Sequence, residues 1–235
     1  MKGVVMNVLL VVSSYHHRNT GKVADAFARV LGARVQTPRK TDKEELRDFD
    51  LTGFGSGIDS DKHYKELLDI ADSLPRVAGR KAFIFSTCGM PVFVAGRGSV
   101  AEYAVKSHSA LREKLTSRGY EVIGEFSCAG HNTNSFLKLF GGLNKGRPNA
   151  EDLGDAEEFA RALKENLESG NPRYTPGGKI VVTVAGYEKE PGYSPGSLYL
   201  RTLIQRAADS FAGFHLIASQ TMSRVHAISM TAKKR

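Results

Sequence analysis

The segment from Ser13 to Thr20, Ser-Ser-Tyr-His-His-Arg-Asn-Thr, has side chains suited to binding an anion. An apolar, mostly β-branched run, Val8 to Val12, precedes it and predicts a buried strand. Asn19 or Thr20 suits the cap of a following helix, because their side-chain oxygens accept hydrogen bonds from the first backbone N–H groups. A hydroxyl-rich loop at a helix N-terminus brings together free N–H groups, hydroxyl donors and a positive dipole end. The segment therefore predicts a phosphate site.

Two other kinds of site are weighed against this one. His16 and His17 are metal-ligand types, but no third ligand lies at a suitable spacing, so no metal site is predicted. Residues 96–101, Gly-Arg-Gly-Ser-Val-Ala, match the glycine spacing of a dinucleotide-binding loop. Such a loop needs its first glycine directly after a strand, and the preceding strand is expected to end at Thr87. We instead expect a loop up to residue 98 and a helix cap at Ser99, with Glu102 completing a capping box.

Composition narrows the class of protein. The 235 residues suit one α/β domain, or one domain with an appendage, and a hydrophobic fraction of 41% is ample for a core. No apolar run of about 18 residues exists, so no membrane span is predicted. The amino-terminal apolar run lacks a small-residue cleavage site and is interpreted as the first strand of a cytoplasmic protein. The chain has two cysteines, too few for a disulfide framework, which fits a reducing compartment.

The net charge of +8 is unevenly distributed. From Pro172 onward nine Lys and Arg stand against three acidic residues, so the preceding part is nearly neutral. We therefore expect no nucleic-acid binding by the main domain. The composition changes near residue 170, which predicts a main domain over 1–170 and a basic C-terminal extension over 171–235. Whether the extension packs on the domain, forms a docking arm or is not a native folded segment stays open.

Strand and helix patterns alternate along the main domain and predict a doubly wound parallel sheet of five strands. In such a fold, ligands bind beyond the carboxyl ends of the strands. The expected strands are Val8 to Val12, Ala33 to Gln36, Asp50 to Phe54, Lys81 to Thr87 and Tyr120 to Cys128. A further strand pattern, Lys179 to Ala185, lies in the extension.

Four segments resemble the flavodoxin-like family and occur in the family's order over about residues 1–168. The loop at 14–20 resembles the family's FMN-phosphate loop, and residues 50–58 resemble the segment that leads into its first isoalloxazine loop. Ser86 to Gly89 resembles the start of its next flavin loop, and residues 146–160 are similar to its final helix. The resemblance implies the α/β flavodoxin-like fold, with strand order 2-1-3-4-5.

The resemblance also implies non-covalent FMN. The residues it assigns to the cofactor are Ser13, Ser14, His16, His17, Arg18, Asn19 and Thr20 around the phosphate, and Ser56, Gly57, Ile58, Thr87, Cys88 and Gly89 around the ring. Many relatives carry Gly where this chain has Arg18, so a residue with a Cβ must make the turn. The guanidinium would be compatible with an added phosphate contact. The chain lacks tryptophan, and candidate ring covers are Ile58, Tyr64, Met90, Phe93 and His131.

The function implied is electron transfer by bound FMN. Two alternatives stay open: an FMN-dependent NAD(P)H reductase of quinones or small molecules, and a phosphate-ligand or interaction module that has lost FMN. No G-x-S-x-G or H-E-x-x-H motif indicates a protein nucleophile or metal site, so whether the chain is an enzyme stays open as well. The implied partners are a redox protein, a small-molecule electron donor or acceptor, or a second copy in a homodimer. The apolar loop 130–148 is a candidate flavin cover or dimer contact.

Two cysteines and one histidine are expected to be buried. Cys88 and Cys128 end strands that are expected to be neighbours, so the two thiols could lie close together near a flavin, although inert thiols are the default. His108 lies on the apolar face of a predicted helix and is interpreted as a packing histidine.

Overall fold

The computed structural model describes residues 6–90, 92–133, 141–168 and 182–184. One parallel sheet forms the centre, with the order β2-β1-β3-β5-β6-β7, and the short β4 pairs antiparallel with β3. The strands are β1 (Val8–Ser13), β2 (Arg34–Gln36), β3 (Leu51–Asp59), β4 (Lys62–His63), β5 (Arg80–Cys88), β6 (Tyr120–Ala129) and β7 (Val182–Val184). The helices are α1 (Asn19–Leu31), α2 (Lys65–Asp72), α3 (Val92–Ser117) and α4 (Ala150–Glu168), with short 3₁₀ turns at Pro38–Lys40 and Glu45–Asp48.

The predicted fold class is confirmed. The five expected strands correspond to β1, β2, β3, β5 and β6, and they lie in the predicted order 2-1-3-4-5. The structure adds β4, which turns back on the end of β3, and β7, which extends the sheet beyond β6. The carboxyl ends of β1, β3, β5 and β6 therefore form one edge, where a ligand site is expected.

Two hydrophobic cores separate the faces of the sheet. On one face, α1 and α4 pack around Phe27, whose ring makes edge-to-face contacts with Phe83, Phe85 and Phe126. On the other face, α2 and α3 pack on the alternate residues of the same strands. Gly55 is required by this packing, since a Cβ there would lie 2.2 Å from the ring of Phe85.

The predicted start of the third helix is wrong. We expected the helix to begin at Ser99, but α3 begins at Val92 and includes residues 96–101. Two interior glycines cost a helix only about 1 kcal/mol each, so they did not stop it. Asn149 caps the last helix: Asn149 Oδ1 accepts from the Asp152 N–H at 3.0 Å, and Asp152 Oδ2 accepts from the Asn149 N–H at 2.8 Å. No described helix is long and apolar enough to cross a membrane.

Several expectations lie outside the described residues. They include the loop at 134–140 and nearly all of the basic C-terminal extension, of which only β7 is described. The domain boundary near residue 170 stays a prediction.

Candidate functional site

An open pocket lies at the carboxyl edge of the sheet. Its empty volume, including the part continuous with solvent, is about 430 Å³. The lining residues come from four neighbouring loops: Ser14, Tyr15, His16, Asn19, Thr20, Gly57, Ile58, Tyr64, Thr87, Cys88, Gly89, Gly130, His131 and Asn132. None of these is Asp, Glu, Lys or Arg.

Hydroxyl and N–H groups line the pocket where α1 begins. Ser14 Oγ accepts from the Gly21 N–H at 3.1 Å, and the Thr20 and Thr87 hydroxyls lie 2.8 Å apart. In a hydroxyl pair one group donates to the other, so one O–H is left to donate elsewhere. Among the described residues, no acceptor is found for the Thr20 N–H. This end of the pocket therefore offers donors at a helix N-terminus, the chemistry of an anion site.

Asn19 supplies a hydrogen-bond acceptor close to these donors. Its Nδ2 donates to the His131 carbonyl at 2.8 Å, which fixes the orientation of the amide. The other end, Oδ1, is buried and has no hydrogen-bond partner among the described residues. A buried acceptor without a donor costs about 1–3 kcal/mol. The pocket thus holds an acceptor suited to a hydroxyl or N–H of a ligand.

Residues 17 and 18 form the turn between loop and helix, and neither lines the pocket. Both have left-handed backbone, with φ of 54° at His17 and 53° at Arg18. The Arg18 guanidinium lies 3.3 Å from Asp25 and its side chain is 73% exposed. The His17 ring stacks on His131 with centroids 4.4 Å apart, and burial, together with the neighbouring His131, His16 and Lys22, lowers the pKa of His17.

Nine of the thirteen predicted site residues line the pocket, and four do not. The four that do not are Ser13, His17, Arg18 and Ser56. Ser13 and Ser56 belong to the strands and point to the α2–α3 face beneath the pocket, because side chains alternate along a strand. Three lining residues were missed, namely Tyr15, Gly130 and Asn132. The last two follow β6 directly, so the rule that ligands bind beyond strand ends could have found them.

Two tyrosines form one wall of the pocket. The rings of Tyr15 and Tyr64 lie 5.4 Å apart, and Tyr15 is 60% exposed. Burial, with the neighbouring Asp59 and Tyr15, raises the pKa of Tyr64. A hydrogen bond to Glu66 raises the pKa of Tyr15. Of the candidate ring covers, Ile58, Tyr64 and His131 line the pocket, Met90 does not, and the Phe93 side chain lies outside the described residues.

A row of four buried serines runs across the sheet beneath the pocket, and we call it the serine rung. Ser13 is in register with Ser56, Ser56 with Ser86, and Ser86 with Ser127. Each is at most 2% exposed. The rung is anchored by side-chain hydrogen bonds, from Ser13 to Glu66, from Ser56 to His63 and from Ser86 to His108 and Ser127.

The rung leads into a buried ion pair. His108 lies between Ser86, with Nε2 2.8 Å from Oγ, and Glu125, with Nδ1 3.0 Å from Oε2. Arg112 adds contacts of 2.5 and 2.9 Å to the same carboxylate. Burial acts to raise the pKa of Glu125, but the hydrogen bonds from His108 and Arg112 outweigh it and hold that pKa below its ordinary value. His108 and Glu125 are fully buried, so this Ser–His–Glu arrangement has no access to a substrate, and the interpretation of His108 as a packing histidine is confirmed.

The two cysteines lie on neighbouring strands, as expected, but on opposite faces. Thr87 is in register with Cys128 and Cys88 with Ala129, so the Cβ of Cys88 points to the α3 side and that of Cys128 to the α1–α4 core. A disulfide requires Cβ atoms that approach each other, so these thiols cannot be bridged. Burial raises the pKa of both thiols, which keeps them protonated and unreactive at neutral pH.

Comparisons with known proteins identify relatives of the chain and of its fold. No protein-family model matches the chain. The chain is 40% identical over 161 residues to the uncharacterized protein MJ0298 of Methanocaldococcus jannaschii, a match that covers 68% of this chain and all of that protein. Oxidised flavodoxin 2 from Bacillus cereus superimposes with a TM-score of 0.50 at 20% identity, over 68% of this chain and 99% of the flavodoxin. The chain therefore belongs to the family of the archaeal protein, and its fold is that of the flavodoxins.

Proposed function

We propose that the pocket binds FMN non-covalently and that the protein functions in electron transfer. The observation that carries this proposal is the pairing of opposite chemistries within one pocket. The hydroxyls at the start of α1 suit a phosphate, as does the Thr20 N–H, which has no acceptor among the described residues. The buried Asn19 Oδ1 suits a ligand hydroxyl, because this oxygen accepts a hydrogen bond and would repel a phosphate oxygen. FMN carries a phosphate, a hydroxylated ribityl chain and a flat ring, and the tyrosine wall offers an apolar surface for the ring.

The roles of the residues follow from these contacts. Ser14 and Thr20 would donate to the phosphate, with Thr87 supporting Thr20 through their shared hydrogen bond. Asn19 would accept from the ribityl chain while its amide stays fixed on His131. Tyr15 and Tyr64 would exclude water from one side of the ring. FMN supplies the redox chemistry when it is bound, and the protein supplies orientation and electrostatics.

We infer an electron carrier, whose partner exchanges electrons with the flavin directly, because the fold is that of the flavodoxins. The described lining residues include no carboxylate or lysine, but the imidazoles of His16 and His131 could move a proton, so the reductase alternative stays open. We expect that partner to be a redox protein, a small-molecule donor or acceptor, or a second copy of the chain across a homodimer.

The first experiment is an absorbance spectrum of the purified protein, followed by titration with FMN and with riboflavin. FMN bands, and an FMN affinity well above that for riboflavin, are the expected result, because the donors at α1 act on the phosphate. A protein that stays colourless after FMN is added would overturn the proposal and favour an interaction module that has lost FMN.

A second experiment separates a carrier from a reductase. The FMN-loaded protein is mixed with NADH or NADPH in a stopped-flow instrument, and flavin absorbance is followed. A carrier is expected to show no bleaching by either nucleotide. Rapid bleaching would instead establish the reductase alternative.

Replacing Arg18 by Gly is expected to leave FMN affinity unchanged and to stabilise the fold by about 0.5–1 kcal/mol, since glycine removes the cost of a left-handed side-chain residue. The lost contact with Asp25 is exposed and contributes little. Thermal unfolding and FMN titration check both parts. Arg18→Ala is the control, because it removes the charge and keeps the strain. Weaker FMN binding in both variants would mean that the guanidinium holds the phosphate after all.

A further inference from the structure

Ser56 is the member of the serine rung whose own hydroxyl contacts the backbone of the pocket wall. Its Oγ lies 2.8 Å from the Gly57 carbonyl, 3.1 Å from the Tyr64 N–H and 2.8 Å from His63 Nδ1. Gly57 and Tyr64 both line the pocket, whereas Ser56 and His63 lie beneath it and are almost completely buried. The Ser56 hydroxyl thus joins the backbone of Gly57 and Tyr64 to His63, which does not line the pocket.

Hydrogen-bond counting assigns the proton on His63. The Ser56 hydroxyl has one proton, which it donates to the Gly57 carbonyl, and it accepts from the Tyr64 N–H and from the imidazole. His63 must therefore carry its hydrogen on Nδ1, which leaves Nε2 as a bare acceptor. Nε2 is buried and has no partner among the described residues. Leaving this nitrogen without a hydrogen bond costs about 1–3 kcal/mol of folding free energy. The hydrogen bond from Nδ1 holds the Ser56 hydroxyl in place.

The side chain of Tyr64 packs closely on the backbone of Gly57, which restricts the movement of both. A Cβ at Gly57 would lie 2.4 Å from the Tyr64 hydroxyl, so the tyrosine side chain lies directly across the glycine backbone. On its other side, His63 is held by the His108 ring, with centroids 4.9 Å apart. Movement of Ser56 would therefore displace the Gly57 peptide and Tyr64 together.

We propose that Ser56 and His63 are positioning residues of the pocket, which fix the Gly57 carbonyl and Tyr64 and thereby determine how the tyrosine wall meets a flavin ring. This inference rests on the proposed FMN site. Neither residue touches the ligand, and both act through the peptide at Gly57 and the main chain of Tyr64.

The test compares two equally buried serines of the rung. Ser56→Ala removes the contacts to the wall, and Ser127→Ala removes a contact to Ser86 that involves neither Gly57 nor Tyr64. We expect Ser56→Ala to weaken FMN binding about tenfold, the effect of losing one or two hydrogen bonds, and to shift the reduction potential of bound FMN. Ser127→Ala is expected to change neither. Equal effects of the two variants, or no effect of Ser56→Ala, would overturn the proposal.

One further measurement tests the positioning role without bound flavin, and a second set of variants covers the case in which Ser56→Ala does not fold. The ring resonances of Tyr64 in the flavin-free protein should shift in Ser56→Ala and not in Ser127→Ala. A wild type that binds no FMN would refute the proposed function, while these resonances would still decide the positioning role. If Ser56→Ala does not fold, His63 is changed instead. His63→Asn can still donate to Ser56 and should keep wild-type binding and potential, His63→Phe should lose both, and identical behaviour of the two would refute the role.

Discussion

Replacing Ser14 by Asp is expected to weaken FMN binding at least a hundredfold without destabilising the protein. The new carboxylate can accept the Gly21 N–H that the serine hydroxyl accepts now, so the start of α1 stays capped. The same carboxylate would oppose the phosphate of FMN. Two like charges about 5 Å apart repel by about 3 kcal/mol at an effective dielectric constant of about 20, and about 3 kcal/mol corresponds to about a hundredfold in Kd.

Riboflavin and a neutral variant are the controls for this experiment. Riboflavin lacks the phosphate, so its weaker binding should be nearly the same in wild type and Ser14→Asp. Ser14→Asn keeps the cap without the charge and should lose much less FMN affinity than Ser14→Asp. Isothermal titration with both ligands measures the difference. Equal losses of FMN and riboflavin would show that the phosphate does not bind beside Ser14.

Replacing Arg112 by Ala is expected to be the most destabilising single change considered, at about 3 kcal/mol, since a buried carboxylate loses its charged partner. Glu125 is fully buried and receives two contacts from Arg112. Lys114→Ala is the matched control on the same helix. Lys114 pairs with Asp72, and because both side chains are partly exposed the loss should be below about 1 kcal/mol. Urea unfolding at pH 7 measures both, and equal losses would mean that the buried pair adds nothing beyond a surface pair.

The pH dependence of stability gives an independent check on this ion pair. The pKa of Glu125 is lower in the folded protein than its ordinary value of 4.5. The stability that this carboxylate contributes is therefore fully present above about pH 4.5, and it is lost as the pH falls through the lower, folded pKa. The difference in unfolding free energy between wild type and Glu125→Gln should thus be largest near neutral pH and shrink in acid. A difference that stays constant from pH 7 to pH 3 would contradict this assignment.

The sequence was sufficient to predict which strands are neighbours and where the pocket lies. Short β-branched apolar runs such as Val8 to Val12 favour buried strands, and alternation with helices allows few connections. The loop from Ser14 to Thr20 follows β1 directly, so its place at the carboxyl edge follows from the topology alone. The left-handed backbone at Arg18 was also anticipated, since a turn that favours glycine there must exist whatever residue occupies it.

Register and side-chain direction could not be predicted in the same way. Ser13 and Ser56 were assigned to the ligand because they lie beside lining residues in sequence, but a shift of one residue along a strand moves a side chain to the other face. Apolar runs lead directly into serine at Ser13 and Ser86, but Ser56 follows Phe54-Gly55 and Ser127 follows Glu125-Phe126, so the four serines share no common sequence pattern. Only the register of the strands aligns the four into one rung. The start of α3 was missed for a related reason, because local cap signals compete with helix contacts that the sequence does not show.

The opposite orientation of Cys88 and Cys128 has a consequence for the proposed electron transfer. Two thiols on one face of the sheet could form a disulfide beside the pocket. Such a disulfide could accept two electrons from a reduced cofactor, and it would crosslink the two strands. Because the two thiols lie on opposite faces, this disulfide cannot form. Under the proposed function, the electrons that the protein holds would be those of the bound flavin, because the two cysteines of the chain cannot pair with each other.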